Sequence, residues 1–322
     1  MTLQEVLEAH QESTPSAVAL VARGDDVEYA AIAEDTRESV FPIASVTKPI
    51  VATAAMLLVR DGRIGLDDPI ATWLPELAKP VVVRTPGSPV DDVVPVTNAI
   101  TVRHLLTSRC GWGFTADFSL PVTQKLLEDV PPHDPPPPDE WLKQLAGVPL
   151  LHQPGDGWLY NTSYDVLGLL VHRVTGSLPD FLAERFYVPL GMTNTGFTSE
   201  TFPSGAGGLR STADDLLAFN RFLLEGDLLA ELAVDTMTAA EREAARIFLE
   251  GQGWGIGGSV DVAEIDPWNV AGRYGWVGGS GTAAHVIPSQ GLITILLTRT
   301  AMTSPTSPPV MRDFWLSAMQ TL

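Results

Sequence analysis

The sequence predicts an α/β (α+β) fold, an antiparallel sheet flanked by amino- and carboxy-terminal helices with an all-helical region inserted into it. Three observations carry this. Strand-like runs cluster near the two ends, at 17–32 and 254–298. The stretch 69–186 repeats apolar residues at helical spacing, and helix-like segments open and close the chain. The expected division is a sheet domain built from 1–75 and 205–322 and a helical domain at 76–204, with the functional site at their interface.

Met1-Thr2-Leu3-Gln4-Glu5-Val6-Leu7-Glu8-Ala9-His10 is amphipathic and acidic, and reads as the first helix. Residues 17–21 and 27–32 flank Gly24-Asp25-Asp26, a hairpin signal. Phe41-Pro42-Ile43-Ala44 reads as an extended approach to the apolar run 50–59. Pro49 fits a first helical turn, where its missing N–H is tolerated, so Ser45 is the expected N-cap. Helical spacing recurs at 69–77, 102–107, 139–145, 164–174 and 178–186. Breaks fall at 85–95 and 131–138. The four prolines at 135–138 favour an extended polyproline segment, read as a surface linker, with a pocket rim as the alternative. Gly205-Ala206-Gly207-Gly208 marks a return, and Ser211-Thr212-Ala213-Asp214 has capping-box-like spacing before a helix at 215–224. Strands at 254–260, 283–287 and 292–298 and a helix at 310–319 complete the pattern.

With 322 residues and 45% hydrophobic content the chain can bury one large core or two lobes sharing an interface. Its formal charge of −19 argues against nucleic acid and anionic membrane partners, which both demand a basic face. The single cysteine, Cys110, excludes an intrachain disulfide and a Cys-based metal cluster, and reads as a small buried apolar residue. The amino terminus lacks the basic start and apolar core of a signal peptide, and no apolar run is long enough for a bilayer span. A cytoplasmic protein with no cofactor and no metal is expected; the residues give no reading of oligomeric state.

Ser45-Val46-Thr47-Lys48 is the most informative feature. Residues three apart share a helix face, so the Lys48 amine can reach the Ser45 oxygen and take its proton. The helix start favours developing negative charge, and the apolar run behind it dries the site, which pushes the amine toward its neutral, basic form. The plain alternative is that Ser45 caps the helix and Lys48 points to water. Two further segments offer partners. Pro154-Gly155-Asp156-Gly157-Trp158-Leu159-Tyr160-Asn161-Thr162 sets a phenol and an amide side by side before a helix. Tyr274-Gly275-Trp276-Val277-Gly278-Gly279-Ser280-Gly281-Thr282 leads into a strand, with glycines that let a substrate approach the backbone.

On these three motifs the chain resembles the serine β-lactamase and penicillin-binding-protein superfamily, most of all its class C-like branch, which includes the family VIII carboxylesterases. The likeness spans 41–74, 100–113, 154–191, 207–219 and 276–298. It implies a β-lactamase/transpeptidase-like fold, Ser45 as the acylated nucleophile, Lys48 as its activating partner and Tyr160 as a second proton-transfer group. It further implies an oxyanion hole from the N–H groups of Ser45 and Gly279, beside Gly278. Two departures stand out. The family's Tyr-x-Asn is here Tyr160-Asn161 without a spacer, which puts the substrate-binding role of Asn161 in question. Trp276 and Val277 replace the usual Lys-Thr of Lys-Thr-Gly, so the cation and hydroxyl suited to a β-lactam carboxylate are missing and an ester of modest polarity fits better. Arg273 is the candidate to restore a charge nearby.

The expected activity is hydrolysis of small carboxylic esters through an acyl-Ser45 intermediate. The alternatives are an acyltransferase of the same fold in metabolite biosynthesis, a β-lactamase or D-amino-acid peptidase, and a non-catalytic binding module. Gly-x-Ser-x-Gly, the signature of the α/β-hydrolases, is absent. His104 reads as a structural histidine and His285 as a strand residue with pocket lining as its alternative. His133, His152 and His172 lack metal-ligand spacing. Trp112, Trp141 and Trp158 read as packing residues.

Overall fold

The computed structural model describes residues 1–132 and 134–321. Its main sheet has seven strands: β1 (Ala17–Arg23), β2 (Asp26–Ile32), β3 (Gly253–Trp254), β4 (Ser259–Val260), β5 (Tyr274–Gly278), β6 (Thr282–Ile287) and β7 (Leu292–Thr298). The order is β2-β1-β7-β6-β5-β4-β3 and every pairing is antiparallel. Amino- and carboxy-terminal strands meet where Ala17 pairs Thr298 and Arg23 pairs Leu292, as expected of a sheet made from both ends.

Strands β6 and β7 are buried on both faces, because helices cover both. On one side lie helix α1 (Leu3–Ala9) and the last helix (Pro309–Ala318), packing Leu7, Met311 and Phe314 against Leu292 and Leu296. On the other lie α2 (Thr47–Arg60) and the helix Ala213–Glu225, which join the central strands to the helical region in one larger core. Behind α2 runs Thr162–Thr175, here α3, whose first ten residues are buried except at Asp165.

Several elements differ from expectation. Residues 254–260 do not form one strand: a turn at Gly255–Gly258, with Gly257 at φ +82°, folds them into the β3–β4 hairpin. Residues 69–77 form two short 3-10 turns, Ile70–Thr72 and Pro75–Leu77, interrupted where Pro75 cannot donate to a continuing helix. The 178–186 helix ends at Leu182 and widens into a π turn, Ala183–Tyr187. Inside the 85–95 break, Val93–Pro95 pairs back on Val81–Val83. Thr212 caps the Ala213–Glu225 helix through the Asp215 N–H, two residues ahead of the expected start.

A small sheet matters more for the site. Phe41–Pro42 pairs with Leu209–Ser211, which pairs with Gly196–Phe197. Ile43 N–H donates to Leu209 O at 3.0 Å, and Leu209 N–H to Thr47 Oγ1 at 3.1 Å. The approach to Ser45 is thereby tied to the glycine-rich return at 205–208.

Candidate active site

Ser45 is not the N-cap. Ala44–Val46 forms a 3-10 turn, Val46 stands at the cap position of α2, and no side chain caps it. The Ser45 hydroxyl is therefore free of capping duty. Ala44 is held at φ +43°, a conformation that costs an L-residue about 1–3 kcal/mol and recurs where a side chain must be presented.

Two groups converge on Ser45 Oγ. Lys48 Nζ and Tyr160 Oη each lie 2.9 Å away. Lys48 is fully buried, and its amine also donates to Asn161 Oδ1 at 2.8 Å and to the Ala206 carbonyl at 2.6 Å. The arrangement suits both protonation states. An ammonium donates three hydrogens to these three oxygens; a neutral amine donates two, to Asn161 and Ala206, and turns its lone pair to the Ser45 hydroxyl. Burial pushes the amine down to about 7, with the Asp165 charge opposing.

Tyr160 lies in an aromatic box. Its ring stacks on Phe248 at 5.0 Å and Trp158 at 5.9 Å, and Trp254 stands at right angles to Trp276 at 4.8 Å. Trp276 Nε1–H donates to Tyr160 Oη at 2.8 Å. The indole thus puts a neutral donor on the phenol oxygen. Burial pushes the Tyr160 phenol up, and the hydrogen bonds to Ser45 and Trp276 work against it.

The missing spacer of the second motif has a local explanation. Asn161 sits at φ +82° and ψ −69°, and Thr162 N–H reaches back to Tyr160 O, which makes a γ-turn of the rarer, strained hand. That turn reverses the chain within one residue, so of two adjacent side chains Tyr160 reaches Ser45 and Asn161 reaches Lys48. Asn161 thus binds the amine, and it also lines the cleft.

Gly278 lies where β5 crosses the Ser45 approach, and a Cβ there would collide with Ile43 O and Thr282 Oγ1. Thr282 Oγ1 donates to Ile43 O at 3.0 Å and Ser280 Oγ to Pro42 O at 2.6 Å, which fastens the third motif to the first. Gly279 has open space where a Cβ would stand.

Beside Ser45 opens a cleft of about 580 Å³, lined by Asn161, Asp165, Thr198, Ser199, Ser204 and Pro135 among others. Among the described residues lining it none is Lys or Arg. Pro132 and Pro135 form part of the wall, so the proline run rims a pocket rather than serving as a plain linker. A second cavity of about 510 Å³, behind the carboxy-terminal half of α2, is lined by none of Ser45, Lys48, Tyr160, Asn161 and Trp276.

Other candidates lie elsewhere. Arg273 does not restore a charge to the site: it is buried against Asp261, Nε to Oδ2 at 2.9 Å, beneath the Trp315 ring. His285 packs edge-on to Trp315 at 5.6 Å, on the sheet face away from the cleft. His104 Nδ1 accepts the Thr101 N–H in a capping box. His133 lies outside the described residues. Trp112 Nε1–H bonds Val148 O at 2.8 Å and Trp141 packs on Phe202, whereas Trp158 belongs to the aromatic box around Tyr160. Cys110 is buried, taking a hydrogen bond from Ser163 Oγ. Among the described residues no cluster of His, Cys, Asp or Glu suits a metal ion, and no helix is long and apolar enough to cross a membrane.

The sequence reading missed Asp165, the Ala206 carbonyl and Phe248. Asp165 carried a signal, a lone charge at the head of an apolar helix. A backbone carbonyl carries none.

Residues 3–313 match the sequence profile of the Beta-lactamase family. Esterase EstB of Burkholderia gladioli is 30% identical, over 91% of this chain and 88% of that one. Lovastatin esterase of Penicillium rubens is 30% identical over 75% of each. Among solved structures, EstCE1, a hydrolase with promiscuous acyltransferase activity, superposes with a TM-score of 0.81 at 23% identity, covering 98% of this chain and 97% of that one.

Proposed function

The chain belongs to the beta-lactamase family, and from that premise we propose that it is a serine hydrolase cleaving small carboxylic esters through an acyl-Ser45 intermediate. The observation that carries this is the placement of the Lys48 amine and the Tyr160 phenol, each 2.9 Å from Ser45 Oγ. Neutral Lys48 takes the hydroxyl proton as Oγ attacks the ester carbonyl. The N–H groups of Ser45 and Gly279 hold the oxyanion, a contribution of about 100- to 1000-fold per donor. The alcohol leaves with a proton from Tyr160 Oη, which is restored from the Lys48 ammonium. Water then attacks acyl-Ser45, gives its proton to the same pair, and releases the acid as Ser45 regains its hydrogen. No cofactor takes part.

The cleft supports a neutral substrate. Trp276 spends its N–H on Tyr160, and among the described residues no Lys or Arg lines the walls to meet a carboxylate. The names of the two relatives, both esterases, support the same class. Transfer of the acyl group to an alcohol instead of water is the second reading, supported by the hydroxyl-lined space at Thr198, Ser199 and Thr201 and by the activity in the EstCE1 title. In this proposal the site lies between a sheet unit, 1–75 and 205–322, supplying Ser45, Lys48 and Trp276, and a helical unit, 76–204, supplying Tyr160 and Asn161.

A chromogenic short-chain ester, turned over by the parent protein and by Ser45→Ala, tests the reading. Turnover lost in the variant, with one acyl mass added to the parent in intact-mass spectrometry, is expected. Equal rates overturn it.

A further inference from the structure

Resting on the roles of Ser45 and Lys48 above, we propose that Asp165 is a positioning residue for Lys48, fixing the loop at 204–206 that takes one amine hydrogen and setting a negative charge against the amine. The chain of contacts is short. Asp165 Oδ1 accepts the Ser204 hydroxyl at 2.6 Å and the Ala206 N–H at 3.1 Å, and the Ala206 carbonyl accepts Lys48 Nζ at 2.6 Å. The backbone of one residue, Ala206, therefore lies between carboxylate and amine, its N–H donating to Asp165 and its C=O, in the next peptide, accepting from Lys48, so that the Asp165 bonds fix where that carbonyl points. The loop has little freedom, because a Cβ at Gly205 would run into Tyr164 O and the Gly168 backbone.

The groups facing the amine are few. From the turn before α3 come Tyr160, with its ring 4.7 Å from Nζ, and Asn161, and from α3 itself Tyr164 at 5.9 Å and Asp165. From the α2 side comes Ser45, and from the return loop the Ala206 carbonyl. Asp165 is the one whose charge acts on Lys48, and it favours the ammonium against the drying effect of burial.

D165N separates anchoring from charge, because an amide oxygen still accepts both loop hydrogen bonds. The test follows the rate of Ser45 labelling by a fluorophosphonate from pH 5 to 9, which requires no knowledge of the natural ester. In the parent the rate is expected to climb with pH through a midpoint near 7. In D165N the midpoint is expected about one pH unit lower, since the ammonium has lost its counter-charge. In S204A, which keeps the carboxylate, it stays at the parent position. A D165N midpoint equal to the parent's overturns the inference. Labelling that persists in Ser45→Ala instead overturns the reading of Ser45. Should D165N not fold, the parent alone decides: the 13C resonance of Lys48 Cε must show a second inflection as Asp165 titrates, and a single-step curve overturns the inference.

Discussion

Two buried cations stand on opposite faces of the same sheet, and their surroundings differ in one respect. Arg273 touches a carboxylate directly, Asp261, which also takes hydrogen bonds from Gln252 and the Val270 N–H. Lys48 touches only neutral oxygens, those of Ser45, Asn161 and Ala206, with the Asp165 carboxylate reached through the backbone of Ala206. Burial weakens the charged form of both. A direct anion offsets that desolvation and a carbonyl dipole does not, so one cation is structural and the other gives up its proton near neutrality.

The most severe way to break this contrast is to make Lys48 permanently charged. Lys48→Arg is expected to slow Ser45 labelling by a fluorophosphonate about 1000-fold or more at pH 8, since a guanidinium accepts no proton. A loss below tenfold ends the argument for the amine as base. Next comes the other cation. Arg273→Met leaves Asp261 buried and unpaired and is expected to cost about 3–5 kcal/mol of stability by denaturant unfolding, with labelling of the folded protein within a few-fold of the parent.

The two sites also part in the sign of their effect on stability. Lys48 is held near 7 in the folded state against 10.5 ordinarily, so between those values the unfolded chain binds one more proton and stability rises with pH. Lys48→Met removes that slope. It is expected to gain about 1–2 kcal/mol at pH 7, after allowance for two lost hydrogen bonds, with the gain vanishing toward pH 10. A variant less stable than the parent at pH 7 contradicts this. The smallest effect concerns the phenol sharing the amine's pocket. Trp276→Phe deletes one neutral donor to Tyr160 and is expected to lower kcat/KM about fivefold, the worth of one hydrogen bond. An unchanged value removes Trp276 from the proton-transfer argument.

Legibility followed sequence separation. Ser45 and Lys48 were readable because a three-residue spacing on one turn is a local fact, although the same logic assigned Ser45 a capping bond it does not make. The hairpin β1–β2 and strands β6 and β7 were readable from their apolar runs. The β3–β4 break hung on the positive φ of Gly257, which periodicity does not register. Tyr160 emerged from the order of motifs, but Asn161 looked misplaced because a single γ-turn, invisible in residue type, does the work of the missing spacer. The bonds from Trp276 to Tyr160 and from Lys48 to Ala206 span 116 and 158 residues, and only the fold brings them together.

Pro132 and Pro135 give the cleft a border with few internal degrees of freedom. Proline has few conformations to lose when a guest arrives and no amide hydrogen of its own, so Pro132 and Pro135 offer contact surface without a backbone donor. At these two positions a guest is met by shape, whereas Thr198, Ser199 and Thr201 elsewhere in the wall can meet it by hydrogen bonds. Altering those prolines is accordingly the direct route to changing which guests fit while leaving the chemistry at Ser45 untouched.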